Sequence, residues 1–178
     1  MNKYLVYGNP IAQSKSPFIH QMFADQTGQN LSYDRHCSSM ESFVEDVNSF
    51  FKSGGVGANV TAPFKELARS ICDSLSDRAK EAGAVNTLCY LEGKIHGDNT
   101  DGVGLVQDII RHGVDINGSN ILLLGAGGAV KGVILPILEQ SPDKLHIANR
   151  TVSKAEMLQQ QFGEDKILNE IIKKDYTD

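Results

Sequence analysis

The residues with the most chemistry to offer fall in a few short stretches. One is Gly125-Ala126-Gly127-Gly128-Ala129, with Arg150 and Lys154 further on. Glycines at a strand-to-helix turn let backbone N–H groups approach a pyrophosphate, which then sits on the positive end of the helix. An acidic residue about 20 positions later would hold the ribose hydroxyl of NAD. Here Asn149, Arg150 and Thr151 stand instead. No carboxylate is there to repel a phosphate, and the planar guanidinium of Arg150 can bind one. The pattern favours NADP over NAD. Val130 replaces the third small residue of G-x-G-x-x-G. A tight turn with no ligand is the bland alternative, against which stand the strand before, the amphipathic helix after and the basic end of the next strand.

The other stretches carry hydroxyls, amides and acids. Ser14-Lys15-Ser16-Pro17 reads either as turn and N-cap chemistry or as paired hydroxyls at a helix N-terminus, a receiver for a small carboxylate. Asn59, Thr61 and Lys65 surround the end of a strand, where open α/β sheets place ligands. Amide, hydroxyl and amine there suit a polyhydroxylated small molecule, although an exposed helix-start lysine is the ordinary reading of Lys65. Asn86 and Thr87 read as a turn or as further polar contacts. Asp98-Asn99-Thr100-Asp101 reads as capping of the helix that follows, or as polar lining of a cleft at a domain junction.

Positioning these groups requires two α/β units. Tyr4 to Gly8, Leu31 to Cys37 and Val56 to Thr61 read as strands. The helices between them run from Pro17 to about Thr27, with Ser16 as N-cap, and from Ser39 or Glu41 along Phe43, Val44, Val47, Phe50 and Phe51. One helix is expected from about Leu67 to Ala82, then a hairpin of Leu88 to Leu91 and Lys94 to His96 around Glu92-Gly93. A helix with Val103, Val106, Ile109 and Ile110 on one face leads into the nucleotide unit. There, Ile121 to Leu124 is an unalternating apolar run, as in a parallel strand covered on both faces. The helix after the glycines buries Val130, Val133, Ile134, Ile137 and Leu138, with Pro136 expected to kink or shorten its last turn. Leu145 to Ala148 is the next strand, Lys154 to Phe162 the next helix, and residues 166–175 are weakly patterned. The expected domains are 1–101, an open α/β substrate unit, and 102–178, part of a Rossmann-type nucleotide unit.

Composition excludes several classes. A formal net charge of -5 gives no overall attraction to nucleic acid or anionic membrane, so anionic ligands must be met by local positive groups. No apolar run approaches the roughly 20 residues of a membrane span, and no export signal precedes the first strand. Cys37, Cys72 and Cys89 form no C-x-x-C pair, as in a reducing cytoplasm. The histidines show no metal-ligand spacing, so no metal is expected.

These stretches together closely resemble the shikimate dehydrogenase family. The resemblance is carried by Gly8-Asn9-Pro10-Ile11 with Ser14-Lys15-Ser16-Pro17, Gly57-Ala58-Asn59-Val60-Thr61-Ala62-Pro63-Phe64-Lys65-Glu66, Gly83-Ala84-Val85-Asn86-Thr87, Gly97-Asp98-Asn99-Thr100-Asp101-Gly102, Gly125-Ala126-Gly127-Gly128-Ala129 and Asn149-Arg150-Thr151. They occur in family order and at family spacing to about residue 160. The resemblance implies reduction of 3-dehydroshikimate to shikimate with NADPH, on the route to aromatic amino acids. It implies that Ser14 and Ser16 hold the substrate carboxylate and that Asn59, Thr61, Asn86 and Asp101 bind ring hydroxyls. Lys65 and Asp101 would be the catalytic pair, with Lys65 also in contact with substrate. A cation or proton donor beside the carbonyl offsets the negative charge that hydride transfer builds on oxygen.

In the family, the nucleotide domain continues well past the point where this chain stops at Asp178. The expectation is therefore a truncated Rossmann-type unit with apolar faces exposed, prone to association with further copies. Two other readings stay open here: an NAD-dependent enzyme acting on quinate, and a non-catalytic module that binds a shikimate-like ligand.

Overall fold

The computed structural model describes residues 1–163, and the weakly patterned residues 166–175 lie outside them. The chain divides between Asn99 and Thr100 into two compact units. That is slightly ahead of the boundary expected after residue 101, and it places Asp101 with the second unit.

The first unit follows the order β1 (Asn2–Gly8), α1 (Ser16–Thr27), β2 (Leu31–Cys37), α2 (Phe43–Lys52), β3 (Gly55–Val60), α3 (Lys65–Ser70), β4 (Ser74–Leu75), α4 (Asp77–Ala82), β5 (Thr87–Leu91) and β6 (Lys94–Asp98). All six strands join one sheet in the order β2-β1-β3-β5-β6-β4. β1 runs parallel to β2 and β3, while β5 is antiparallel to β3 and β6. Alternation along β1 explains the layers. Tyr7 and Leu5 enter a core with Phe43, Val47 and Phe51 of α2 and with Phe64, whereas Tyr4 and Val6 pack with Ile11 and Tyr33 on the other face. The β5–β6 hairpin turns through Glu92 and Gly93 at φ 52° and 79°, the left-handed pair of a two-residue hairpin loop.

Three expectations are corrected in this unit. Residues 67–82 do not form one helix: Ser74 and Leu75 leave the helical path to pair with His96 and Gly97 of β6. Asp73 fixes that break, its N–H donating to the Ile95 carbonyl and its carboxylate accepting from the Ile95 N–H. Ser76 then caps α4 by accepting from the Ala79 N–H. Ser16 is not the N-cap of α1, which begins one residue earlier with Lys15 in that place and no side-chain cap. α2 starts at Phe43, after the expected Ser39 or Glu41, because the Ser39 hydroxyl accepts from the Glu41 and Ser42 N–H groups and makes a turn there.

Asp98 is accounted for structurally. Its carboxylate accepts a fork of hydrogen bonds from Arg78, one from the Ser76 hydroxyl and one from the Asn99 N–H. The Arg78 hydrogen bond is the largest influence holding the Asp98 carboxyl at about 2, against partial burial, which opposes it. A carboxylate depressed in the folded state contributes stability that is complete above its ordinary value near 3.8 and is lost as pH falls toward about 2. The urea midpoint of the first unit should therefore fall between pH 5 and 2, and Arg78→Ala should make that fall shallower. An Arg78→Ala profile parallel to the unmodified one would remove this ion pair from the account.

The second unit contains α5 (Asp101–Arg111), β7 (Asn120–Leu124), α6 (Gly128–Leu138), β8 (Lys144–Ala148) and α7 (Val152–Phe162). β7 and β8 pair in parallel along their whole length. Val106, Ile134, Ile137, Leu145, Ile147 and Leu158 form the core, with Ile121 and Leu123 against it. Leu122 and Leu124 are 51% and 76% exposed, so β7 is not covered on both faces by the described residues. The buried side of α5 carries Gly102 and Val106, while Ile110, expected there, is exposed.

Pro136 does not shorten α6, which continues to Leu138. A proline leaves the carbonyl four residues before it without its helical donor, here that of Gly132. That oxygen lies 2.2 Å from where a Cβ on Gly102 would stand, so α5 and α6 approach closely only because residue 102 is glycine. The crossing seats Asp101, the neighbour of Gly102, at the start of α5.

Candidate functional site

In the first unit the sequence-selected residues gather at the carboxyl ends of the parallel strands. Ser14 and Ser16 follow β1, Asn59 lies in β3 and Thr61 just beyond it, Lys65 opens α3, and Asn86 immediately precedes β5. The loops after β1 and β3 are joined, the Asn9 N–H donating to the Ala62 carbonyl at 3.1 Å. Asn9-Pro10 and Ala62-Pro63 are both cis peptides. A Cβ on Gly8 would stand 2.7 Å from both Ile11 Cδ1 and Thr61 Cγ2, so glycine there lets the two loops close together. Lys65 is held by its backbone, the carbonyl accepting from the Val85 N–H at 2.8 Å.

The side chains form two hydrogen-bonded polar groups. Ser14 Oγ donates to Ser16 Oγ at 3.2 Å and accepts from the Ser16 N–H. Asn59 Nδ2 donates to the Asn86 carbonyl and to Thr87 Oγ1, each at 3.3 Å, and Thr87 Oγ1 donates to Asn86 Oδ1 at 2.8 Å. Two members escaped the sequence reading. Tyr33 Oη donates to Asn59 Oδ1 at 2.7 Å, and burial pushes the phenol upward. Arg35 reaches across from β2 to the Ser14 carbonyl through Nε and Nη2. Both belong to a strand whose alternation signals sheet packing only. A cavity of about 320 Å³ borders this set, with Tyr4, Leu31 and Val56 among its apolar lining and Tyr33, Asn59 and Thr87 among its polar lining.

In the second unit the glycine turn joins β7 to α6. Gly125 has φ 113°, and a Cβ at Gly127 or Gly128 would meet nothing within 4 Å. Gly127 stands at the N-cap without a side-chain cap, and the first turn of α6 holds no acid. Open space over a helix N-terminus with its amides uncapped fits a diphosphate. Asn149, Arg150 and Thr151 follow β8, with Asn149 Nδ2 donating to the Thr151 carbonyl at 2.8 Å. Arg150 and Lys154 are exposed. Among the described residues no group of His, Cys, Asp and Glu could hold a metal ion, and no helix is long and apolar enough to cross a membrane.

A polar site at strand ends in one α/β unit, with a glycine-turn βαβ unit after it, defines a chain built like a dehydrogenase that binds substrate and dinucleotide in separate domains. Residues 6–88 match the family model described as shikimate dehydrogenase substrate binding domain, and residues 105–174 match shikimate / quinate 5-dehydrogenase. The chain belongs to the shikimate dehydrogenase family. It is 55% identical over 166 residues to shikimate dehydrogenase (NADP(+)) of Colwellia psychrerythraea, covering 93% of this chain and 60% of that protein. An Ael1 enzyme from Pseudomonas putida superposes with a TM-score of 0.89 at 41% identity, covering 95% of this chain and 64% of that one. Shikimate 5-dehydrogenase of Thermus thermophilus, solved with NADP(H) and shikimate, gives 0.86 at 30% identity, with 94% and 63% covered. The chain spans about 60% of the length of the curated relatives it matches.

Proposed function

We propose that the chain acts as an NADP-dependent shikimate dehydrogenase, interconverting 3-dehydroshikimate and shikimate in the pathway to aromatic amino acids. The observation that carries this reading is the pair Ser14–Ser16 and the linked set Asn59, Asn86 and Thr87 together at the strand ends of the first unit. The uncapped glycine turn of the second unit supports it.

In this reading Ser14 and Ser16 receive the substrate carboxylate, and Asn59, Thr61, Asn86 and Asp101 address its hydroxyls. Lys65 and Asp101 are the catalytic pair. Bound NADPH supplies the hydride. The Lys65 ammonium donates to the ketone oxygen as negative charge builds there, and Asp101 accepts from a substrate hydroxyl. The turn 125–129 holds the diphosphate through backbone amides, and Arg150, with Asn149, Thr151 and Lys154 beside it, meets the 2′-phosphate. The absence of an acid at Asn149 disfavours an NAD-dependent quinate enzyme. The free thiols Cys37, Cys72 and Cys89 suit the cytoplasmic setting this function implies.

Steady-state oxidation of shikimate with NADP, and with NAD in parallel, tests the reading. Turnover with NADP supports it. Shikimate binding without turnover assigns the chain to a binding module instead, and the absence of shikimate binding overturns the reading altogether. We also place self-association at the exposed Leu122 and Leu124 of β7. Sedimentation should show concentration-dependent dimers that Leu124→Lys abolishes; an unmodified chain that stays monomeric contradicts this.

A further inference from the structure

Tyr33 sits in β2, outside every motif that marks the substrate site, yet its hydroxyl is hydrogen-bonded to Asn59 in that site. The ring is only 8% exposed, and it stacks on His20 at a centroid distance of 4.1 Å and an interplanar angle of 15°. His20 is itself tied to the serine loop, its Nδ1 lying 2.9 Å from the Ser16 carbonyl. The phenol is therefore clamped before its hydroxyl makes any contact.

The hydrogen-bond directions follow from chemistry. The Asn86 backbone carbonyl only accepts, so the amide nitrogen of Asn59 must face it, at 3.3 Å. The oxygen of the Asn59 amide then faces Tyr33, and because that oxygen only accepts, Tyr33 must donate, at 2.7 Å. The phenol oxygen keeps its own lone pairs free to accept. At the other end Asn59 donates to Thr87, and Thr87 donates to Asn86 Oδ1. Every bond of this chain points the same way, from Tyr33 through Asn59 and Thr87 to Asn86. Both N–H bonds of the Asn59 amide are committed to protein acceptors, and the oxygen of the Asn86 amide is turned toward Thr87, so its nitrogen side faces away.

We propose that Tyr33 is a substrate-positioning residue whose hydroxyl fixes the amide orientations of Asn59 and Asn86, with its ring held to the serine loop through His20. The inference rests on the functional reading above, and it makes Asn59 the junction of the site while the second lone pair of its amide oxygen stays able to accept from a substrate hydroxyl.

Tyr33→Phe keeps the ring, its burial and the His20 stack, and removes only the hydroxyl. In the full chain without ligand, the side-chain amide ¹H–¹⁵N signals of Asn59 and Asn86 should shift and exchange faster with solvent in Tyr33→Phe, while the backbone spectrum of α2 stays in place. Thr87→Val, which cuts the chain at its other side, should move the same two amides. Shikimate affinity in Tyr33→Phe should fall about ten-fold, the usual scale for orphaning a half-buried acceptor. Thr87→Val combined with Tyr33→Phe should cost less than the product of the two single losses, because both act on one chain; a purely structural defect would multiply. Unchanged amide signals overturn the inference, as does an unchanged affinity in a protein that binds shikimate. If the unmodified chain binds no shikimate, the functional reading fails, and the ordering role of Tyr33 is decided by the amides alone.

Discussion

Replacing Lys65 by alanine should lower kcat for shikimate oxidation by roughly 10²–10⁴-fold, the usual range for removing a general acid–base group. Shikimate affinity should change by less than about ten-fold, because the carboxylate and the hydroxyls keep the other partners assigned to them. The variant should fold. Lys65 is the first residue of α3, and the backbone bond from the Val85 N–H to its carbonyl is preserved by alanine. Lys65→Met, similar in length but without charge, should be as inactive as alanine. Lys65→Arg should recover little, since a planar fork does not place a single donor where a flexible ammonium does. Steady-state kinetics paired with calorimetric titration of shikimate checks all three variants. An alanine variant with an unaltered kcat would remove Lys65 from the chemistry.

The second large effect concerns the choice of cofactor. Arg150→Ala should weaken NADP roughly 10–100-fold, the equivalent of losing a charge-assisted hydrogen-bonded pair. NAD, which lacks the 2′-phosphate, should change by less than about three-fold. Arg150 lies between β8 and α7 on a turn shaped by the Asn149-to-Thr151 hydrogen bond, so its removal leaves the turn intact. Its exposure carries a corollary: the loss should shrink as salt rises, because exposed charges are screened beyond roughly 8–10 Å at ordinary ionic strength. Fluorescence titration of both nucleotides at low and high salt gives the comparison. Equal losses for NADP and NAD would mean that Arg150 supports the turn and does not read the phosphate.

Much of this protein is legible from local text. β2 is Leu31–Cys37 in both sequence and structure, Gly28 ends α1 in the left-handed conformation, and Glu92-Gly93 makes the hairpin turn. These features are set by alternation, by the freedom of glycine at positive φ and by hairpin-turn geometry, all of which act within a few residues. The glycine turn after β7 and the basic residues after β8 belong to the same class. So do the short runs that hold Ser14, Ser16, Asn59, Thr61, Lys65, Asn86 and Asp101, whose proposed roles come from the family resemblance those runs carry.

The missed features share one property: their partners are distant in sequence. Residues 67–82 read as one helix because nothing local reports that Ser74 and Leu75 will pair with His96 and Gly97. Asp98 read equally as a cap or as cleft lining, until Arg78 and Ser76, 20 and 22 residues away, took up its oxygens. Leu122 and Leu124 belong to an apolar run, yet only the placement of the helices decides which face of β7 is covered. Tyr33 carries no motif at all. The sequence by itself determined most of the elements, the glycine turn and the identities of the polar groups, since propensity and turn chemistry are local. Only the tertiary structure decided how those groups are joined, because the sheet register brings Tyr33 to Asn59 across 26 residues and Asn59 to Thr87 across 28. A hydrogen bond has a direction only once both partners are in place.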